Sequence, residues 1–166
     1  MTALNRNPQN TNFLQPTKFL LTFNRIGAIQ YFCQTVNLPG VSLGEASRQT
    51  PFVNLYSPGT KLTYNPLNVT FIIDEDLITW QSLQKWLYQI ANPKGFDGRN
   101  TKPVNNYSDA TLTILTNLNN SNLRIQYHNV FPTGLSDIDF DTKQSADDII
   151  TASATFRYDY YEILTA

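Results

Sequence analysis

The stretch LNVTFIIDEDLITWQSLQKWLYQIA, Leu67 to Ala91, changes hydrophobic period partway along. Leu67, Val69, Phe71 and Ile73 alternate with Asn68, Thr70 and Ile72, the pattern of a strand with one buried face. Asp74-Glu75-Asp76 then places carboxylates where the first turn of a helix leaves N–H groups unpaired, with Asp76 the expected N-cap. Beyond it Trp80, Leu83, Leu87 and Ile90 recur at helical spacing beside Trp86, and Asn92-Pro93 stops the run. A strand that hands over to an amphipathic helix predicts an α+β domain in which the helix lies on a sheet.

The chain on the C-terminal side reads as strands. ATLTIL (Ala110 to Leu115), the turn Asn117 to Asn120, and NLRIQYHNVF (Asn122 to Phe131) form a hairpin. A short Ile138-Asp139-Phe140 piece, with both apolar side chains inward, precedes ITASATFRYDYYEI, Ile150 to Ile163. In that last strand Ala152, Ala154, Phe156, Tyr158 and Tyr160 share one face, and Thr151, Ser153, Thr155, Arg157 and Asp159 the other. It exceeds the usual 3 to 10 residues or so, which predicts pairing with more than one neighbour or continuation into another subunit.

On the N-terminal side, FLLTFNRI (Phe19 to Ile26) and IQYFCQTV (Ile29 to Val36) read as a hairpin across Gly27-Ala28. Met1 to Pro16, rich in Asn, Gln, Thr and Pro, reads as a flexible arm, so residues 17–166 form the single domain. Val41 to Pro66 is broken by Gly44, Pro51, Pro58, Gly59 and Pro66 around one β-type run, PFVNLY. It reads as a long excursion with at most one hairpin arm, and connections of that length are usually functional. Asn92 to Asp109 is a second long polar connection. The expected whole is seven or eight mostly antiparallel strands in a β-sandwich or split barrel, with one flanking helix.

Composition narrows the chemistry. The 166 residues hold 12 Lys and Arg against 13 Asp and Glu, too neutral for a counterion-releasing nucleic-acid clamp. The polar surface is instead uncharged, with 18 Asn, 10 Gln and 19 Thr. A single Cys and a single His give no intrachain disulfide and no zinc cluster. The N-terminus lacks an apolar leader-type run, which predicts synthesis in a cytoplasm without membrane insertion.

The chemical-looking segments have simpler readings. Asp137, Asp139, Asp141 and Asp148 imitate four positions of a calcium loop, but Thr142 stands where that loop needs Gly and Asp148 where it needs Glu. Strand alternation accounts for the same acids. His128 reads as a surface or subunit-contact residue and Cys33 as a small hydrophobe in a strand, with no third group marking a catalytic set. Trp80 and Trp86 read as core. No metal, cofactor or catalytic residue is therefore assigned. Long polar strands with few edge charges instead predict edges that are covered by pairing between subunits.

In their order, PTKFLLTF (Pro16 to Phe23), FCQTVNLPG (Phe32 to Gly40), NVTFIIDEDLITWQSLQKWL (Asn68 to Leu87) and FPTGLSDIDFDTKQSADDIITASATFRYDYYEI (Phe131 to Ile163) resemble the tail tube proteins of contractile-tailed bacteriophages, fold relatives of the type VI secretion tube protein. The resemblance covers about three-quarters of the chain and implies a non-enzymatic virion protein. It would form hexameric rings whose strands join into a β-barrel, stacked as the inner tail tube through which DNA is ejected. It implies partners in the tail sheath, the baseplate and the tail terminator, viral DNA that passes without specific binding, and no membrane. By position, residues 41–66 would reach a neighbouring subunit or ring, through Val41, Ser42, Leu43, Pro51, Phe52, Val53, Leu55, Tyr56, Pro58 and Tyr64. Thr151, Ser153 and Thr155 would face the lumen. The repeating tube subunit is the first expectation. A baseplate–tube adaptor or tube terminator of the same fold is the alternative, and a type VI secretion tube protein the next. A monomeric small-ligand binder and an enzyme using His128, Cys33 or Asp139 are the competing classes. Residues 92–109 match no pattern of the family.

Overall fold

The computed structural model describes residues 12–93, 95, 106–143, 145 and 147–165. In chain order the elements are β1 (Phe19–Phe23), α1 (Ile29–Phe32), β2 (Cys33–Val36), β3 (Val41–Gln49), β4 (Asn54–Tyr64), β5 (Leu67–Ile72), α2 (Ile78–Ile90), β6 (Ser108–Leu115), β7 (Ser121–Leu135), β8 (Thr151–Arg157) and β9 (Tyr160–Thr165). Most of the expected N-terminal arm and the middle of the 92–109 connection lie outside the described residues.

Every strand pairing is antiparallel, and the fold is mainly β with one long helix, as the alternation and the Leu67 to Ala91 stretch predict. The strands run β1-β6-β7-β8-β5-β2, with β9 beside β7 and β3-β4 as a separate ribbon. Among the described residues the sheet does not close into a barrel.

β7 is the strand that spans both halves. It pairs β9 up to His128 and β6 up to Val130, and from Phe131 to Leu135 it pairs β8. Asn129 stands at the change of partner with φ 56°, a left-handed conformation that Asn tolerates better than most residues. Its backbone N–H donates to Asp109 Oδ1 at 3.3 Å and its Nδ2 to Asp159 Oδ2 at 2.6 Å. A bulge of this kind bends a strand from one sheet into another.

The buried faces meet in one core: Leu21 and Phe23 from β1, Leu67, Val69 and Phe71 from β5, Ile125 and Tyr127 from β7, and Ala152, Ala154 and Phe156 from β8. α2 adds Leu83 and Trp86 to it, and Trp86 packs on Phe156 with centroids 6.3 Å apart. Burying one large apolar side chain is worth about 1.5–3 kcal/mol, so these rows hold the layers together. Both indole N–H groups are satisfied, Trp80 by the Ser136 carbonyl at 3.3 Å and Trp86 by the Asn106 carbonyl at 3.0 Å.

Five local expectations change. Phe19 to Val36 is not a hairpin, because β1 pairs β6 and β2 pairs β5. Ile26 and Ile29 are both buried, and a strand would send residues three apart to opposite faces, so the chain coils through α1 instead. The helix N-cap position falls on Leu77 and not on Asp76; Asp74 Oδ2 accepts the Ile78 N–H at 3.1 Å and does the capping chemistry. Residues 41–66 carry two hairpin arms, with Pro51, Phe52 and Val53 in the turn between them. The final strand divides at Tyr158-Asp159, which reverses parity: Tyr158 is buried, Tyr160 is exposed, and Tyr161 turns inward. Residues 138–140 form no strand, and Phe140 is 78% exposed.

Candidate assembly surfaces

β3 and β4 pair only with each other. Every β3 residue is exposed, and in β4 only Gly59 and Tyr64 are even half-buried. Val41 sits opposite Tyr64 and Leu43 opposite Leu62, so these four share one face at the base of the ribbon. Phe52 and Val53 are exposed in the turn, Phe52 almost fully. A two-stranded ribbon is marginally stable alone, and exposed apolar side chains in a row mark a surface that another molecule covers. The ten residues expected on this excursion therefore lie together: Val41, Ser42 and Leu43 on one arm, Leu55, Tyr56, Pro58 and Tyr64 on the other, Pro51, Phe52 and Val53 at the tip.

The ribbon has one close approach. Between the pairs Leu43↔Leu62 and Glu45↔Pro58, β4 has three residues against Gly44 alone. A Cβ on Gly59 would lie 2.5 Å from the Gly44 carbonyl oxygen, so only glycine fits there.

A polar clasp fixes the root of the ribbon to the sheets. Asn37 Nδ2 donates to the Pro66 carbonyl at 3.1 Å, and its Oδ1 accepts the Asn68 N–H at 2.6 Å. The Asn65 N–H donates to the Gly40 carbonyl at 3.0 Å. Tyr158 Oη donates to the Asn65 carbonyl at 2.9 Å, and Tyr161 Oη to the Pro39 carbonyl at 3.4 Å. The rings of Tyr64, Tyr127, Tyr158 and Tyr161 pack mostly edge-on or tilted, with centroids 5.1 to 6.1 Å apart. Burial pushes the Tyr158 phenol up to about 12, and it raises that of Tyr127 as well. Sequence reading missed these clasp residues. Asn37-Leu38-Pro39-Gly40 and Asn65-Pro66 were the available signal, matching turn residues at both ends of the excursion.

The outer face of β8 carries Thr151, Ser153 and Thr155, with Thr151 and Ser153 exposed and Thr155 half-buried. Across the register Thr155 faces Asn68, Ser153 faces Thr70 and Thr151 faces Ile72, while Thr70 faces Thr35 of β2. Thr155 Oγ1 donates to Asn68 Oδ1 at 3.1 Å. The face is wet and mostly uncharged, with Arg157 at its edge.

The remaining chemical candidates are dispersed. The His128 ring stacks on Tyr160 at 4.7 Å, with Nε2 buried and unbonded. The half-buried Cys33 thiol is pushed up to about 11 by burial and donates to the Thr35 carbonyl at 3.7 Å. Among the described residues no three His, Cys, Asp or Glu side chains group as metal ligands. No helix among them is long and apolar enough to cross a membrane.

Comparison with known proteins follows the same architecture. The family model of the phage tail tube protein matches residues 7–164. The chain is 27% identical over 159 residues to the tail tube terminator protein of Enterobacteria phage T4, covering 92% of this chain and 89% of that protein. In fold it is similar to a chain of the anti-feeding prophage cap, a tube-terminating cap, with a TM-score of 0.69, 14% identity and 100% of both chains covered. A chain from the sheath–tube complex of an extracellular contractile injection system gives 0.67 at 14% identity, with 94% of each chain covered. A family match over nearly the whole length, on a sandwich with one flanking helix and a projecting ribbon, places this chain in the phage tail tube protein family.

Proposed function

We propose that this protein is the terminator of a contractile tail tube, a subunit of a ring that seats on the last ring of the inner tube and ends its growth. The observation that carries this reading is the end-to-end correspondence with the terminator of phage T4. It favours the terminator over the repeating inner-tube subunit.

The geometry fits the task. Open-ended stacking requires a projecting surface and a matching receptor on every copy. A terminator keeps the surface that meets the tube and lacks the one that would accept a further copy. The ribbon, with its apolar row and its clasped root, supplies the contact with the ring below. The Thr and Ser face of β8 and β5 lines the lumen in this reading, where uncharged hydroxyls hold water and offer phosphate no attraction, so DNA passes without binding. The role is structural and needs no catalytic group, with the last tube ring and the sheath as partners and six subunits in the ring.

Mass measurement of the purified protein across concentration tests this. The expected result is a finite ring or its protomer at every concentration. Open-ended tubes of the protein alone would return it to the repeating subunit.

A further inference from the structure

The formal charge of −1 conceals a separation. Segments 74–76 and 137–148 hold eight of the 13 carboxylates against Lys143 alone, a local charge of −7 that leaves the rest of the chain at +6. The structure brings these segments together. Two adjoining recesses share Phe140, Asp148 and Ile150 in their walls and form one groove between the end of β5, the start of α2 and the 137–150 connection. Ile72, Leu77, Phe140 and Ile149 give it an apolar floor, with Phe140 and Ile149 mostly exposed. Asp74, Glu75, Asp139, Asp141 and Asp148 line it as well, and no Lys or Arg among the described residues does.

We propose that this groove docks a segment of another protein, one that presents apolar side chains flanked by Lys or Arg. The inference goes beyond the tube-end reading and does not depend on it. An apolar floor needs apolar side chains to cover it, and an acidic rim selects a basic flank while repelling nucleic acid and anionic lipid. On a second copy of this chain the projecting ribbon carries only Glu45, Arg48 and Lys61, a net of +1, and the groove is acidic, so neither of these two apolar surfaces presents the basic flank that the rim selects.

The test uses the full chain and three labelled synthetic peptides, an alternating Leu-Lys repeat, a Ser-Lys repeat and a Leu-Glu repeat, followed by fluorescence anisotropy. The Leu-Lys peptide is expected to bind at least about tenfold more tightly than either control, because losing the apolar or the charged half removes one of the two attractions. Raising salt from about 0.05 to 0.5 M should weaken it about tenfold, as screening shortens the reach of the rim charges. Phe140→Ser, and separately the pair Asp139→Asn with Asp148→Asn, should each weaken it several-fold, whereas Glu45→Gln with Glu162→Gln should not. These positions lie outside the core, and an unchanged melting temperature would confirm that the fold is intact. Equal binding of the Ser-Lys peptide, indifference to Phe140→Ser, or self-association of the chain through this groove would overturn the proposal.

Discussion

At the residue scale, two side chains make the interior testable. Thr79 is fully buried on the inner face of α2, and its hydroxyl has no hydrogen-bond partner. A buried hydroxyl left unbonded costs about 1–3 kcal/mol, so Thr79→Val, which keeps the shape, is expected to stabilise the protein by about 1 kcal/mol in urea titration. A loss of stability would show that the hydroxyl is used. The second is Tyr158, whose phenol is raised from 10.0 to about 12, with burial the first cause and Tyr161 and Tyr64 adding to it. The folded chain then keeps a proton that the unfolded chain releases near pH 10, so stability falls as pH rises from about 10 towards 12. Tyr158→Phe should lessen that decline, with Tyr127 still contributing to it, while removing the bond to the Asn65 carbonyl, as paired urea melts at pH 8 and 11 would reveal. Which residues face inward was legible from alternation: Val69, Phe71, Ala152, Ala154 and Phe156 are buried as the period of two requires. Their hydrogen-bond partners were not legible, because Tyr158 and Asn65 are 93 positions apart in the chain.

At the scale of elements, the strand-to-helix passage from Leu67 was readable because one segment carries both periods, and α2 ends where Asn92-Pro93 follows. The break between β8 and β9 was hidden. Tyr158-Asp159 looks like continuous strand in sequence, and the break falls where Asp159 accepts from Asn129 at the corner of β7 and its N–H donates to the His128 carbonyl. The ribbon was hidden for a different reason, since Gly44, Pro58 and Gly59 read as breakers although they sit in paired strands. There the glycines permit a bulge and a close approach that a side chain would block. Gly59→Ala should accordingly force β3 and β4 apart, at a cost to the ribbon in the range of about 1–3 kcal/mol typical of overpacking. Hydrogen exchange should then speed up for residues 41–64 while β5 and β8 stay protected. Unchanged protection across the ribbon would contradict the geometry given for Gly59.

At the scale of the molecule, an assembly surface is legible only as a residue pattern that a single domain does not need. The neutral composition argued against a nucleic-acid clamp, and the length of the 41–66 excursion pointed to an interaction surface. What composition hid was charge separation, because a net of −1 says nothing about where the carboxylates collect. The ribbon, the hydroxyl face of β8 and the acidic groove are three surfaces of different chemistry on one small domain. In the proposed role the first meets the tube, the second meets the channel, and the third is free for a different protein. The most direct measurement of the central claim is to locate the protein in assembled tails by gold labelling of a tagged copy and electron microscopy. The account predicts label confined to a single site at the tube end distal to the baseplate; label repeating along the whole tube, or confined to the baseplate end, would contradict it.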